Sequence, residues 1–171
     1  MPVAYEVHVG RIETLALDAI VNPANARLLP GGGADGAIRR AAGRELDLLL
    51  EQAGGLDEGA ALVTPGFRLP APWVVHTVAP IWPTGRPERE KTALLAQCYR
   101  SCIEAAANLQ LKSIGFPAIG AGAYGWPITR AADIAISSTR DAIARFASLE
   151  RVVFCCFTEN DGAIYRARLS D

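Results

Sequence analysis

Between Asn22 and Gly36 the chain reads Asn-Pro-Ala-Asn-Ala-Arg-Leu-Leu-Pro-Gly-Gly-Gly-Ala-Asp-Gly, directly after apolar Ala19-Ile20-Val21. These residue types carry chemistry. A carboxylate takes a proton from water or from a sugar hydroxyl, and an asparagine amide orients such groups without adding charge. Asn25 and Asp35 are the candidate catalytic pair on that ground. The same two residues also suit a turn and a helix cap, with Asp35 as the cap. Asn22 is expected to tie its loop to itself, since asparagine bonds its neighbouring backbone well. The triad Gly31-Gly32-Gly33 loses more backbone entropy on folding than other residues would, which points to a close approach to the main chain. Bare N–H groups at a helix start are a natural seat for phosphate.

A second loop, Ala118-Ile119-Gly120-Ala121-Gly122-Ala123-Tyr124-Gly125-Trp126-Pro127, has the same character. Small residues at 120–123 admit a ligand to the backbone, and Tyr124 and Trp126 add flat apolar surface. Trp126 also suits the core. His76 lies in Val74-Val75-His76-Thr77-Val78, where a lone buried histidine is expected to be a satisfied structural group. No serine, cysteine or second histidine partners it for a nucleophilic triad.

These loops need elements to position them. Apolar runs at 5–9, 19–21, 60–64, 73–78, 113–116 and 152–156 predict strands. Helical spacing predicts one helix from Gly36 to about Ala53, ended by Gly54-Gly55, and others over 88–109, 128–146 and 162–169. Pro80–Pro87 reads as a loop. Strands alternating with helices predict a single α/β domain over residues 1–171, with a sheet covered on both faces. In such sheets ligands bind beyond the carboxyl ends of the strands. Both glycine-rich loops follow strands, so both are expected to line one crevice, with Phe157 on its rim.

Composition narrows the function further. The chain has 171 residues, half of them apolar, and a formal net charge of −1. Its basic residues are scattered, which argues against extended nucleic-acid contacts, so an anion must be held mainly by oriented N–H groups. No apolar stretch is long enough to span a bilayer, and no leader pattern opens the chain, so a cytoplasmic, monomeric protein is expected. Two histidines and four cysteines without a C-x-x-C pattern fit neither zinc nor a disulfide framework. Cys98, Cys102, Cys155 and Cys156 are expected to be buried thiols, with the last two on opposite faces of a strand.

Taken together, Asp18-Ala-Ile-Val-Asn-Pro-Ala-Asn25, Gly31-Gly-Gly-Ala-Asp-Gly-Ala-Ile-Arg-Arg-Ala-Ala-Gly43, Leu69-Pro-Ala, His76-Thr-Val, Phe116-Pro-Ala-Ile and Gly122-Ala-Tyr-Gly-Trp-Pro127 resemble the macrodomain family, in its MacroD-like ADP-ribosyl hydrolase branch. The resemblance covers nearly the whole chain. It implies a three-layer α/β/α fold around a mixed sheet and ADP-ribose in a crevice at the sheet's crest. It further implies removal of mono-ADP-ribose from acidic side chains of ADP-ribosylated proteins, and deacetylation of O-acetyl-ADP-ribose, without metal or cofactor. By position, Asn25 and Asp35 match the family's catalytic residues. Gly31, Gly32, Gly33 and Ala34 match the loop near the distal ribose and its phosphate, and Ala24 is expected as a further ADP-ribose-binding position. Gly120, Ala121, Gly122, Ala123 and Tyr124 match the loop around the diphosphate, and Ile12 and Phe157 match adenine contacts. The alternatives are a non-catalytic ADP-ribose reader and a remover of ADP-ribose from nucleic-acid ends.

Four stretches depart from the family pattern. Gly10-Arg11-Ile12-Glu13 stands for Gly-Asp-Ile-Thr, so the aspartate that accepts the adenine amino group is replaced by Arg11, which cannot accept but can stack on the base. Pro23 replaces an alanine, Arg39 replaces a histidine, and Gly120-Ala121 replaces a Ser-Thr pair.

Overall fold

A computed structural model describes residues 2–146 and 148–171. Six strands form one sheet: β1 (Ala4–Val9), β2 (Ala19–Pro23), β3 (Ala61–Pro65), β4 (Trp73–Thr77), β5 (Ser113–Pro117) and β6 (Arg151–Cys156). Their spatial order is β1-β6-β5-β2-β4-β3, and every pair is parallel except β3 with β4. Among the described residues five helices accompany them: α1 (Gly33–Ala42), α2 (Arg44–Ala53), α3 (Glu88–Asn108), α4 (Ile128–Ile143) and α5 (Glu159–Ser170). A single 3-10 turn, Ile12–Thr14, follows β1.

The sheet is mixed and covered on both faces, giving the expected three-layer α/β/α fold. Side chains alternate across a strand, and here the alternation divides the core. Ile20, Val74 and Cys155 pack with Ile38, Leu46 and Leu50 of α1 and α2. Their neighbours Val21, Val75 and Cys156 pack on the other face with Leu95, Ile103, Ala135 and Tyr165 of α3, α4 and α5. Inner strands buried on both faces read as continuous apolar runs, and Ala19-Ile20-Val21 is fully buried. All four cysteines are buried free thiols, and Cys155 and Cys156 do face opposite ways. Burial pushes their thiols up, to about 11 for Cys155 and about 12 for Cys156.

Two expectations about helices need correction. The predicted helix from Gly36 to Ala53 is two helices, because Gly43 sits at φ 98° and turns the chain between Ala42 and Arg44. That backbone angle suits glycine alone among ordinary residues. The first of the two begins at Gly33, so Asp35 lies in its first turn and Gly32 is the N-cap. Asp35 is therefore no cap. The closing helix likewise starts earlier than Gly162. Thr158 accepts a hydrogen bond from the Asp161 N–H at 3.1 Å and sets the start at Glu159.

Candidate functional site

The parallel strands all point the same way, so their carboxyl ends meet along one crest. A crevice of about 830 Å³ runs there. It is lined by Ala24 and Asn25 after β2, by Gly31, Gly32, Gly33, Ala34 and Asp35 at the start of α1, and by Gly120, Ala121, Gly122, Ala123 and Tyr124 after β5. Ile12 and Phe157 line the end beyond β1 and β6. Every candidate position from the sequence thus borders the same space.

At one end the geometry is dense with hydrogen bonds. The Asp35 carboxylate is 5% exposed. Its Oδ2 accepts from the Gly31 N–H at 2.7 Å, and its Oδ1 accepts from Asn22 Nδ2 at 2.9 Å. Arg39 Nε donates to both oxygens, at 3.1 and 3.0 Å. A carboxylate has about four lone-pair sites, and these contacts occupy them. Asn22 is therefore not a loop tie, as its sequence context suggested. It lies in β2 beside His76 of β4, its register partner, and the strand aims it under the loop. Its Nδ2 serves both Asp35 and His76 Nδ1, the latter at 3.0 Å.

That contact defines the histidine. Asn22 donates, so His76 Nδ1 accepts and the proton sits on Nε2, which donates to Thr64 Oγ1 at 2.9 Å. Burial foremost, and then the positive charge of Arg39, push its pKa down to about 3. His76 is the satisfied structural group that its strand context predicts.

The loop tie is made by Asn25 instead. Its Nδ2 donates to the Leu29 carbonyl at 2.7 Å and its Oδ1 accepts from the Leu29 N–H at 3.0 Å. One amide hydrogen and one oxygen lone pair remain free on a side chain that borders the crevice. Asn25 is thus both a turn residue and a group that can bond a ligand.

The middle of the crevice offers N–H groups. Helix α1 has no side-chain cap, and its first-turn N–H groups have no intrahelical partner. In the second loop the turn engages the N–H of Ala121, Gly125 and Trp126. Among the described residues those of Gly122, Ala123 and Tyr124 have no protein partner. Gly120 holds φ 85°, and a Cβ there would stand 2.7 Å from Trp126 Cδ1, so a side chain would displace the indole that supports the loop. Trp126 is 2% exposed, belongs to the core, and donates Nε1–H to the Pro80 carbonyl at 2.8 Å. Trp82 packs against it with the rings tilted by 49° and their centroids 4.7 Å apart, and the buried Lys91 lies over the Trp82 ring at 4.5 Å. Burial foremost, then the charges of Glu58 and Asp35, raise the Tyr124 phenol, which keeps it a donor.

The far end is looser. Phe157 is 75% exposed, and the exposed Arg11 guanidinium pairs with Glu13 at 3.8 Å. Glu13, Thr158 and Asp161 also border this end, as does Arg40 beside the first glycine loop. The sequence reading missed them. Thr158 and Asp161 carried a signal, a hydroxyl residue three before an acid at a helix start. Glu13 and Arg40 carried none.

Comparison with known proteins identifies the architecture. The family described as "Macro domain" matches residues 21–135. The chain belongs to that family. A protein of Klebsiella pneumoniae named O-acetyl-ADP-ribose deacetylase is 45% identical to this macrodomain over 174 residues, covering 99% of this chain and 98% of the relative. The solved Oceanobacillus iheyensis macrodomain with ADP superposes with a TM-score of 0.91 at 38% identity, covering 97% of this macrodomain and 90% of that chain. The Trypanosoma brucei macrodomain in complex with ADP-ribose gives a TM-score of 0.85 at 37% identity, over 96% and 68%.

Proposed function

We propose that this macrodomain binds ADP-ribose along the crevice and hydrolyses its esters. The substrates would be O-acetyl-ADP-ribose and mono-ADP-ribose carried on glutamate or aspartate side chains of proteins. One observation carries the reading: a single crevice joins two runs of unpartnered N–H groups to the Asn25–Asp35 end. A diphosphate is matched by those N–H groups, because oriented backbone dipoles bind anions without a cluster of cations. The names of the Klebsiella relative and of the ligand-bound structures support the same chemistry.

With the diphosphate on the glycine loops, the distal ribose falls between Asn25 and Gly31. The free amide hydrogen of Asn25 would fix a ribose hydroxyl. Water adds across the ester, releasing ADP-ribose and the carboxylic acid. The occupied lone pairs of Asp35 favour an orienting role over proton abstraction. By holding the Gly31 N–H, the carboxylate keeps the first glycine loop open to ribose and water. A lost orientation at the reacting centre is enough to slow a reaction about a hundredfold.

The test is release of free ADP-ribose from a protein bearing glutamate-linked ADP-ribose, by the parent and by Asp35→Ala. Release by the parent and not by the variant is expected. Binding of ADP-ribose without release by either protein would make this a reader. Absence of ADP-ribose binding would reject the assignment altogether.

A further inference from the structure

We infer that Arg39 is a positioning residue for the distal-ribose end, and that it acts through the geometry of its three-way hydrogen bonding rather than through its charge. The inference rests on the reading just given, that this end of the crevice receives the ribose.

Arg39 is 4% exposed, yet each of its side-chain nitrogens has a different task. Nε spans both Asp35 oxygens. Nη2 donates to the Leu28 carbonyl at 2.9 Å, and Nη1 donates to Asp47 Oδ1 at 2.9 Å. Through Asp35 it reaches the Gly31 N–H, so one guanidinium grips the loop at both Leu28 and Gly31. Asn25 is tied to the same stretch through Leu29. The stretch needs such a grip. Leu28 holds φ 58°, a left-handed conformation that disfavours a branched, buried side chain. A carbonyl held from below by a planar donor fork is one way to maintain it. The bond to Asp47 of α2 holds the third arm of the fork.

A lysine at this position would keep a cation beside Asp35 but offers one nitrogen. It cannot span Asp35, Leu28 and Asp47 together. Arg39→Lys therefore separates charge from geometry. Adenosine diphosphate lacks the distal ribose and serves as the internal control.

The experiment measures ADP and ADP-ribose binding by calorimetry, together with turnover on glutamate-linked ADP-ribose, for the parent and Arg39→Lys. Hydrogen exchange at the Gly31 amide reports the loop directly. The variant is expected to bind ADP within about twofold of the parent and to lose the parent's preference for ADP-ribose over ADP. It should turn over at least about tenfold more slowly and lose protection at Gly31. Retention of the preference, turnover and protection in Arg39→Lys would overturn the inference, leaving charge alone as the role of Arg39. Equal losses of ADP and ADP-ribose binding would also overturn it, because a general structural defect moves both. A parent that binds ADP-ribose no better than ADP would likewise reject the inference and leave diphosphate binding standing. A parent that binds neither would reject the functional reading itself. Should Arg39→Lys fail to fold, Asp47→Ala, which frees one arm of the fork and leaves Asp35 paired, is the second variant. It is expected to show the same loss of preference in smaller measure, and an unchanged preference would overturn the inference.

Discussion

At one end of the crevice Asn22, Asp35, Arg39 and His76 are between 0% and 5% exposed and bonded to one another. At the other end Phe157 is 75% exposed, and the Arg11 guanidinium makes a loose ion pair with Glu13 at 3.8 Å. Under the proposed function the two ends face different tasks. A reacting centre gains from fixed geometry, because small displacements of reacting groups are costly in rate. A base-binding end needs only flat surface and a few acceptors, and exposed groups can supply these. Charges buried in a connected network are expensive to disturb, whereas exposed ones are cheap.

The largest effect expected from this contrast is that of Asp35→Ala. It removes the acceptor of three donors, two of them buried, and it should lower turnover at least about a hundredfold. It also leaves the guanidinium of Arg39 without its buried partner, at about 3–5 kcal/mol of stability. ADP-ribose release and urea unfolding measure the two. Wild-type rates in this variant would break the contrast at its strong end.

The next effect concerns acid. The pKa of His76 falls from the ordinary 6.5 to about 3. Between these values the unfolded chain binds a proton that the folded protein does not. Stability from this group is complete above pH 6.5 and declines toward pH 3, by about 1.4 kcal/mol per pH unit where His76 governs. His76→Gln should flatten the dependence of the urea midpoint on pH between 4 and 6.5. An unchanged slope would show that other groups control it.

Two smaller effects sharpen the middle and the loose end. Gly120→Ala places a Cβ at φ 85° against Trp126, at about 1–2 kcal/mol for the backbone alone. It should weaken ADP and ADP-ribose together, since both carry the diphosphate. A selective loss of ADP-ribose would contradict the placement of that group. Phe157→Ala removes an exposed ring whose stacking on a base is worth about 0.5–1.5 kcal/mol. It should weaken ADP several-fold and leave turnover at saturating substrate unchanged. A fall in that turnover would mean that the two ends are not independent.

The sequence exposed the alternation of strands and helices and the two loops, because glycines and apolar runs report local backbone needs. By way of the family resemblance it also named both glycine-rich loops, Asn25, Asp35, Ile12 and Phe157 as one set, though not Glu13, Arg40, Thr158 or Asp161. What it hid depends on the third dimension. Asn22 and His76 lie 54 residues apart, and only the β2–β4 register makes them neighbours. Asn22 and Asn25 look alike in sequence, but Asn22 lies inside β2, which points it inward, while Asn25 sits in the turn beyond. The break at Gly43 was obscured because apolar spacing continues through it. The Asp35–Arg39 pair was the one part of the network within reach, since residues four apart share a helix face.

The brace of Trp82, Trp126 and Lys91 behind the second glycine loop has a thermodynamic consequence. A loop already packed and pinned before a ligand arrives loses little disorder on binding. Calorimetry of ADP with the parent should therefore show a small entropic penalty for ordering. In Trp82→Ala the same titration should give a more unfavourable entropy, because the ligand would then have to organise a segment that the indoles now hold in readiness.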